Sequence, residues 1–261
     1  MIHEIQEGYV KTIAQSSGIA VIAFFHPRGN SLPLAMLNEL ALEIHSAGLN
    51  EEVNVIILKS DGNGAFCGGA SFSELSTIND AENGKKFFNG FAQVINAMRK
   101  CPKLIIARVH GKCVGGGVGL VAAADYAIAT EGADIKLSEL SIGLGPFVVG
   151  AAIQRKIGLS AFSQLAIDAA MWRPADWARR KGLFAELHPN NAHMDESVQR
   201  LANELSHSHP EAMAQLKKML WEGTEDWDEL LSEKATISGE LALSPYTKNA
   251  LEKFKNKKHQ S

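Results

Sequence analysis

Two glycine-rich loops are the first segments of this sequence whose residue types and spacing could do chemistry: Gly62-Asn-Gly-Ala-Phe-Cys-Gly-Gly-Ala70 and Gly111-Lys-Cys-Val-Gly-Gly-Gly117. Glycine has no side chain and tolerates backbone angles that other residues avoid, so such loops can bring backbone N–H groups close to a ligand. The second loop runs straight into a helical pattern near Gly116, where N–H groups face outward with the positive end of a helix dipole behind them. That geometry suits negative charge. Neither loop ends in the Lys-Ser/Thr of a P-loop, and neither has the acid that completes a dinucleotide-binding unit. Glycine-rich loops also serve as plain tight turns, and each loop alone leaves both readings open. The cysteines Cys67, Cys101 and Cys113 are odd in number and share no metal-like spacing, which speaks against a zinc site or a disulfide framework.

The elements that must position these loops follow from hydrophobic periodicity. Short β-branched runs at Gly18–Phe24, Asn54–Lys59, Leu104–His110 and Tyr126–Thr130 predict strands. Between and around them, Pro33–Ser46, Ala81–Lys100 and Gly116–Ala124 predict helices, giving right-handed crossover units around a largely buried sheet. From Phe147 onward the chain turns mostly helical, with apolar positions at helical spacing in Gly150–Ile157, Ala161–Ala169, Pro174–Lys181, Met194–Ser206 and Pro210–Trp221. The expectation is an α/β core over residues 1–199 and a helical C-terminal region over 200–261.

A net charge of −3 on 261 residues offers no field to gather a polyanion, and the one basic cluster is Lys248–Lys258, so nucleic acid is not an expected partner. No N-terminal signal pattern is present, and the longest apolar stretch, Val114–Ala124, is too short to span a bilayer. The reading is a cytoplasmic chain with no membrane partner.

Read together, the segments resemble the crotonase superfamily, the enoyl-CoA hydratase/isomerase family. The resemblance rests on Pro27-Arg-Gly-Asn-Ser-Leu32, Gly64-Ala-Phe-Cys-Gly-Gly-Ala70 with Ser73-Glu74-Leu75, Ala107-Arg-Val-His-Gly111 leading to Gly115-Gly-Gly117, Ala124-Asp125, Ser138-Glu139 and Gly182-Leu183-Phe184. Their order and spacing cover nearly the whole chain.

The resemblance implies a spiral core of ββα repeats with a C-terminal helical trimerisation region, assembled as a homotrimer or homohexamer. It implies an acyl-CoA substrate of the kind met in fatty acid metabolism, with coenzyme A as part of the substrate and no metal or redox cofactor. The N–H groups matching Ala70 and Gly116 would form an oxyanion hole for the thioester carbonyl, and Glu139 would act as acid and base. Arg28, Gly68, Lys253 and Lys257 would lie against the coenzyme A part. Asp125 is expected to be structural, His110 a core or turn residue, and Glu74 a residue that favours the dipole of the helix it opens.

One departure matters most: where family hydratases carry a first glutamate this chain has Gly119, and Phe147-Val148-Val149 replaces a small glycine-rich turn. Hydration is naturally served by two carboxylates, whereas moving a double bond needs a single base that takes a proton from one carbon and returns it to another. Hydration, isomerisation, another enolate reaction such as decarboxylation, and acyl-thioester binding without catalysis therefore all stand open at this level.

Overall fold

The computed structural model describes residues 8–15 and 17–258. In chain order these form β1 (Tyr9–Gln15), β2 (Ile19–Phe25), β3 (Ser31–Leu32), α1 (Leu34–Leu49), β4 (Val55–Ser60), β5 (Gly69–Ala70), α2 (Phe72–Leu75) and α3 (Ala81–Lys100). There follow β6 (Leu104–Val109), β7 (Cys113–Val114), α4 (Gly116–Ala123), β8 (Tyr126–Thr130), β9 (Ile135–Lys136), a 3-10 turn at Glu139–Ile142 and α5 (Phe147–Ile167). The remainder is α6 (Ala175–Arg180), β10 (Glu186–His188), α7 (Asn191–Ser206), α8 (Pro210–Leu220), α9 (Trp227–Ala242) and α10 (Pro245–Lys258).

The mixed α/β expectation holds, and the repeat is explicit. Each of β2, β4, β6 and β8 is followed by a two-residue strand, β3, β5, β7 or β9, and then by helix. The long strands form one sheet in the order β1-β2-β4-β6-β8-β10, parallel except for the antiparallel β1–β2 pair. Parallel strands covered on both faces read as continuous apolar runs, as Ile19-Ala-Val-Ile-Ala-Phe24 does. Ile19, Val21, Val55, Ile57, Ile106 and Ile128 pack on one face against Met194, Val198 and Ala202 of α7, whose spacing of four presents one helical stripe. The other face carries the main core, built with α1, α3, α4, α5 and α9.

Several elements differ from the sequence expectation. Strand β1 was not anticipated because only Val10 is buried among its Tyr9–Ile13 side chains, leaving no apolar alternation to read. The two helices expected at 150–157 and 161–169 are halves of α5, which starts at Phe147 and breaks at Gly158, where φ is +77°. Residue 200 falls inside α7, and the tail does not stand apart from the core: Trp227, Leu231 and Ala235 of α9 belong to the main core cluster. Helices α3 and α9 close on one another through glycine, since a Cβ on Gly84 would lie 2.8 Å from the Cα of Gly239. Among the described residues, no helix is long and apolar enough to cross a membrane.

A buried ion pair joins the tail to the sheet. The Lys217 ammonium lies 2.8 Å from Asp125 Oδ2, with side-chain exposures of 2% and 5%. Asp125 also accepts from the Ile105 N–H (2.7 Å) and Trp221 Nε1 (3.3 Å), while Lys217 Nζ donates to the Lys103 carbonyl (2.8 Å). Asp125 is thus architectural, as its sequence context suggested. A buried charge left without its partner is costly, so Lys217→Met should lower unfolding free energy by about 3–5 kcal/mol in urea titrations. A loss below about 1 kcal/mol would show the pair contributes no more than an exposed one.

Candidate active site

The two glycine-rich loops meet because the short strands hold them side by side. The β3–β5 pair sets Ser31 opposite Gly69 and Leu32 opposite Ala70, and the β7–β9 pair sets Val114 opposite Lys136. Between them the backbones of Cys67 and Cys113 pair as an isolated parallel β-bridge, the Val114 N–H donates to the Cys67 carbonyl at 2.9 Å, and the Gly115 N–H donates to the Lys136 carbonyl at 2.9 Å. Gly69, at φ +85°, has no room for a Cβ, which would lie 2.8 Å from the Val114 carbonyl oxygen and 3.4 Å from the Gly116 nitrogen. Ala70 and Gly116 are therefore neighbours in space. Gly116 is the first residue of α4, a position whose N–H has no intrahelical acceptor and lies at the positive end of the helix dipole.

Glu139 opens the 3-10 turn, and its carbonyl accepts the N–H groups of Gly143 and Leu144. Its carboxyl lies against the second loop: a Cβ on Gly115 would be 2.7 Å from Glu139 Oε1. Oε2 is buried and has no hydrogen-bond partner. Burial penalises the carboxylate and pushes the Glu139 pKa up to about 7, with a hydrogen bond from its own backbone N–H pulling weakly the other way.

A cavity of about 1280 Å³ is lined by Gly68, Ala70, Gly116, Glu139, Arg28 and Lys253, so it brings together all but one of the residues to which the resemblance gave a catalytic or coenzyme A role. The exception is Lys257, whose side chain lies outside the described residues. Among the described residues of the lining, Glu139 is the only carboxylate, whereas Arg28, Lys136, Lys253 and Lys255 are cationic. Phe88, Phe91, Leu144, Val148 and Val149 give the cavity an apolar wall. A smaller cleft of about 510 Å³ between α1, α3 and α9 holds none of the singled-out residues.

Sequence reasoning missed Lys136, Trp172 and Tyr246 of this lining, and reached Lys255 only as a member of the basic tail cluster. Lys136 sits in a two-residue strand, too short for any alternation to show which way it faces. Lys112 and Lys136 both approach the Trp172 ring, at 4.9 and 5.7 Å from its centre. Glu74 lies in the first turn of α2, as its position in the sequence suggested, and it has a second role: its Oε2 accepts the Leu34 N–H at 2.8 Å and so caps α1, whose own N-cap, Pro33, offers no side-chain acceptor. His110 does not line the cavity; both ring nitrogens are buried without a partner, and burial lowers its pKa.

The position that lacks a carboxylate is filled. A Cβ on Gly119 would lie 2.6 Å from both Cβ and Cγ1 of Val149, so the α5 valine occupies the space a side chain on α4 would need.

The family model described as enoyl-CoA hydratase/isomerase matches residues 14–259. The chain belongs to this family. It is 28% identical over 243 residues to the short-chain-enoyl-CoA hydratase of Clostridium acetobutylicum, covering 92% of each chain. It is 27% identical over 205 residues to the peroxisomal Delta(3,5)-Delta(2,4)-dienoyl-CoA isomerase of Arabidopsis thaliana, covering 73% of this chain and 72% of the other. The crystal structure of enoyl-CoA hydratase from Bacillus halodurans superposes with a TM-score of 0.86 at 22% identity, over 94% of this chain and 99% of that one. The fold is therefore the crotonase fold.

Because Val149 fills the space beside Gly119, Gly119→Ala should destabilise this crotonase-fold chain by about 1–3 kcal/mol through overpacking. Val149→Ala in the same chain should restore part of that loss, a positive coupling read from thermal melts of the two single variants and the double. Strict additivity would show that the two residues do not compete for space.

Proposed function

We propose that this family member is an enzyme that moves protons on an unsaturated acyl-CoA thioester, with Glu139 carrying the proton and the Ala70 and Gly116 N–H groups holding the enolate oxygen. The observation that carries this reading is a lone buried carboxyl, raised to about 7, in the cavity where the two loops converge. A general base works best with a pKa near the working pH, and fixed donors aimed at a developing oxyanion stabilise it without reorganising.

The single carboxylate favours double-bond isomerisation. Ionised Glu139 takes a proton from Cα of a β,γ-unsaturated thioester, the electron pair moves onto the thioester oxygen, and two backbone N–H groups bind the resulting dienolate. The protonated Glu139 then returns the same proton to Cγ as the pair flows back, leaving the α,β-unsaturated thioester and the starting carboxylate. No water, metal or redox group enters the balance. Relatives named as hydratases support a second reading: the same carboxylate takes a proton from water as it adds at Cβ and delivers it to Cα.

The ligand end of the proposal rests on charge. In a chain of net charge −3, the cavity gathers Arg28, Lys136, Lys253 and Lys255, which suits the phosphates of coenzyme A; Lys257 is assigned to the same group. Trimeric or hexameric assembly of the C-terminal helices belongs to the same proposal.

Addition of a trans-3-enoyl-CoA should produce the absorbance of the conjugated thioester, and a trans-2-enoyl-CoA should lose it if hydration is the activity. Glu139→Gln should lower the productive rate by about 10²–10⁴-fold; an unchanged rate would remove Glu139 from the mechanism. Since the ionised form is the base, kcat/KM should rise with pH up to about 7 and level above it.

The same carboxyl sets a stability signature. A folded-state pKa above the ordinary value of 4.5 favours folding of the protonated form, so stability falls as pH rises from 4.5 through about 7. Glu139→Gln should therefore melt higher than the parent above pH 7, with the difference closing toward pH 4.5. The absence of any pH-dependent difference would contradict a buried titrating Glu139.

A further inference from the structure

The turn that bears Glu139 is held from outside by the C-terminal helix. Thr247, fully buried in the first turn of α10, donates its Oγ1–H to the Gly143 carbonyl at 3.1 Å. The hydroxyl is itself fixed, because Ser244 Oγ donates to Thr247 Oγ1 at 3.0 Å and accepts the Thr247 N–H at 3.2 Å. Gly143 closes the turn in the left-handed region at φ +79°, and its N–H donates back to the Glu139 carbonyl. There is no slack at this joint: a Cβ on Gly143 would meet Tyr246 Cδ1 at 2.6 Å and Thr247 Oγ1 at 2.7 Å. An unbroken chain of hydrogen bonds thus runs from Ser244 through Thr247 and Gly143 to the backbone of Glu139.

This arrangement asks more of Thr247 than helix packing does. Its N–H to Ser244 already caps α10, so the side-chain hydroxyl is not needed to start the helix. The hydroxyl is spent instead on a carbonyl 104 positions earlier in the chain. The carboxyl it supports has a buried oxygen, Oε2, without any partner, and its one hydrogen-bonding influence is the N–H of Glu139 itself; both tie the placement of the carboxyl to the backbone of the turn. The ionisable groups that share the cavity with it are Arg28, Lys136, Tyr246, Lys253 and Lys255, two of them from β9 and the β2–β3 loop and three from α10.

We propose that Thr247 is a positioning residue that acts through Glu139, its hydroxyl holding the Glu139–Gly143 turn so that the carboxyl stays buried against Gly115. The inference rests on Glu139 being the proton carrier. It makes the C-terminal helix part of the catalytic apparatus: α10 lines the cavity with Tyr246, Asn249, Ala250, Lys253 and Lys255, and through Thr247 it sets the proton-transfer geometry.

The test is Thr247→Val, which keeps shape and the capping N–H but removes the hydroxyl, with Thr247→Ser as the conservative control. In the full-length protein with carboxyl-¹³C-labelled glutamate, the parent should show one resonance titrating near pH 7 that is absent from Glu139→Gln. In Thr247→Val that midpoint should fall toward the ordinary glutamate value as the turn loosens and water reaches the carboxyl, and Thr247→Ser should restore it. With the enoyl-CoA turned over by the parent, kcat of Thr247→Val should drop about tenfold or more while KM stays within about twofold. A folded Thr247→Val with parental midpoint and kcat would overturn the proposal and leave Thr247 a packing residue. Should Thr247→Val fail to fold, Ser244→Ala, which frees the Thr247 hydroxyl to rotate, must move the same midpoint, and a parental midpoint there overturns it equally. A parent that turns over neither enoyl-CoA but keeps the shifted resonance and its response to Thr247→Val would sink the catalytic reading while the positioning stands.

Discussion

The candidate site depends on two backbone segments, residues 67–70 and 113–117, running closer together than side chains allow. A Cβ at Gly69 would collide with the Val114 carbonyl at 2.8 Å, and one at Gly117 with the Cys67 carbonyl at 2.5 Å. This proximity follows from the sheet. Strands β4 and β6 are parallel neighbours, so the segments that leave their ends emerge side by side, and the short strands keep them in register for a few residues more. The thiols of Cys67 and Cys113 lie at this junction, fully buried. Burial pushes the Cys67 thiol up to about 12 and raises the Cys113 thiol well above its ordinary value, so both remain protonated and serve as small apolar fillers between the segments.

That approach has an electrostatic corollary. Converging N–H groups at the start of a short helix make a seat for negative charge, and a carboxyl beside them is useful only if it can give up and regain a proton near neutral pH. Glycine at 115 satisfies both demands: its φ of +52° turns the chain into α4, and its missing side chain leaves space for Glu139 Oε1 at a distance no Cβ would tolerate. The unpaired Oε2 is a cost to the fold, of the kind that buried polar groups without partners impose. The sheet and the well-filled core on its two faces offset it.

Much of this was legible in the residues. The inner strands and α1, α3 and α4 announce themselves because they are buried on predictable faces, and the site glycines do so because two glycine-rich loops stand in the order and spacing of a known family, which each loop alone does not show. The illegible parts share a physical reason: their residues answer to distant neighbours, not to local periodicity. Strand β1 pairs at the sheet edge with mostly exposed side chains. Glu74 caps a helix that begins 40 positions earlier. Thr247 reads as an ordinary helix-start residue until Gly143 is found beneath it. The contribution of α9 to the core required Gly239 to meet Gly84, a contact no spacing rule reports.

The filled space at Gly119 bears on whether the site is a working one-carboxylate pocket or the remnant of a two-carboxylate one. Loss of a side chain alone would leave a void or a pocket for water, because the surrounding structure relaxes only partly after a truncation. Here the methyl-bearing side of Val149 occupies the volume, Val149 is 5% exposed, and Gly119 is buried in α4. The two helices have been fitted to one another without the first carboxylate. An apolar residue at 139 would relieve the desolvation cost of the buried Oε2, and the proposed role as proton carrier is the reading that gives this cost a use. A wall filled at Val149 and a raised acid at Glu139 together fit the single-base proton transfer proposed above.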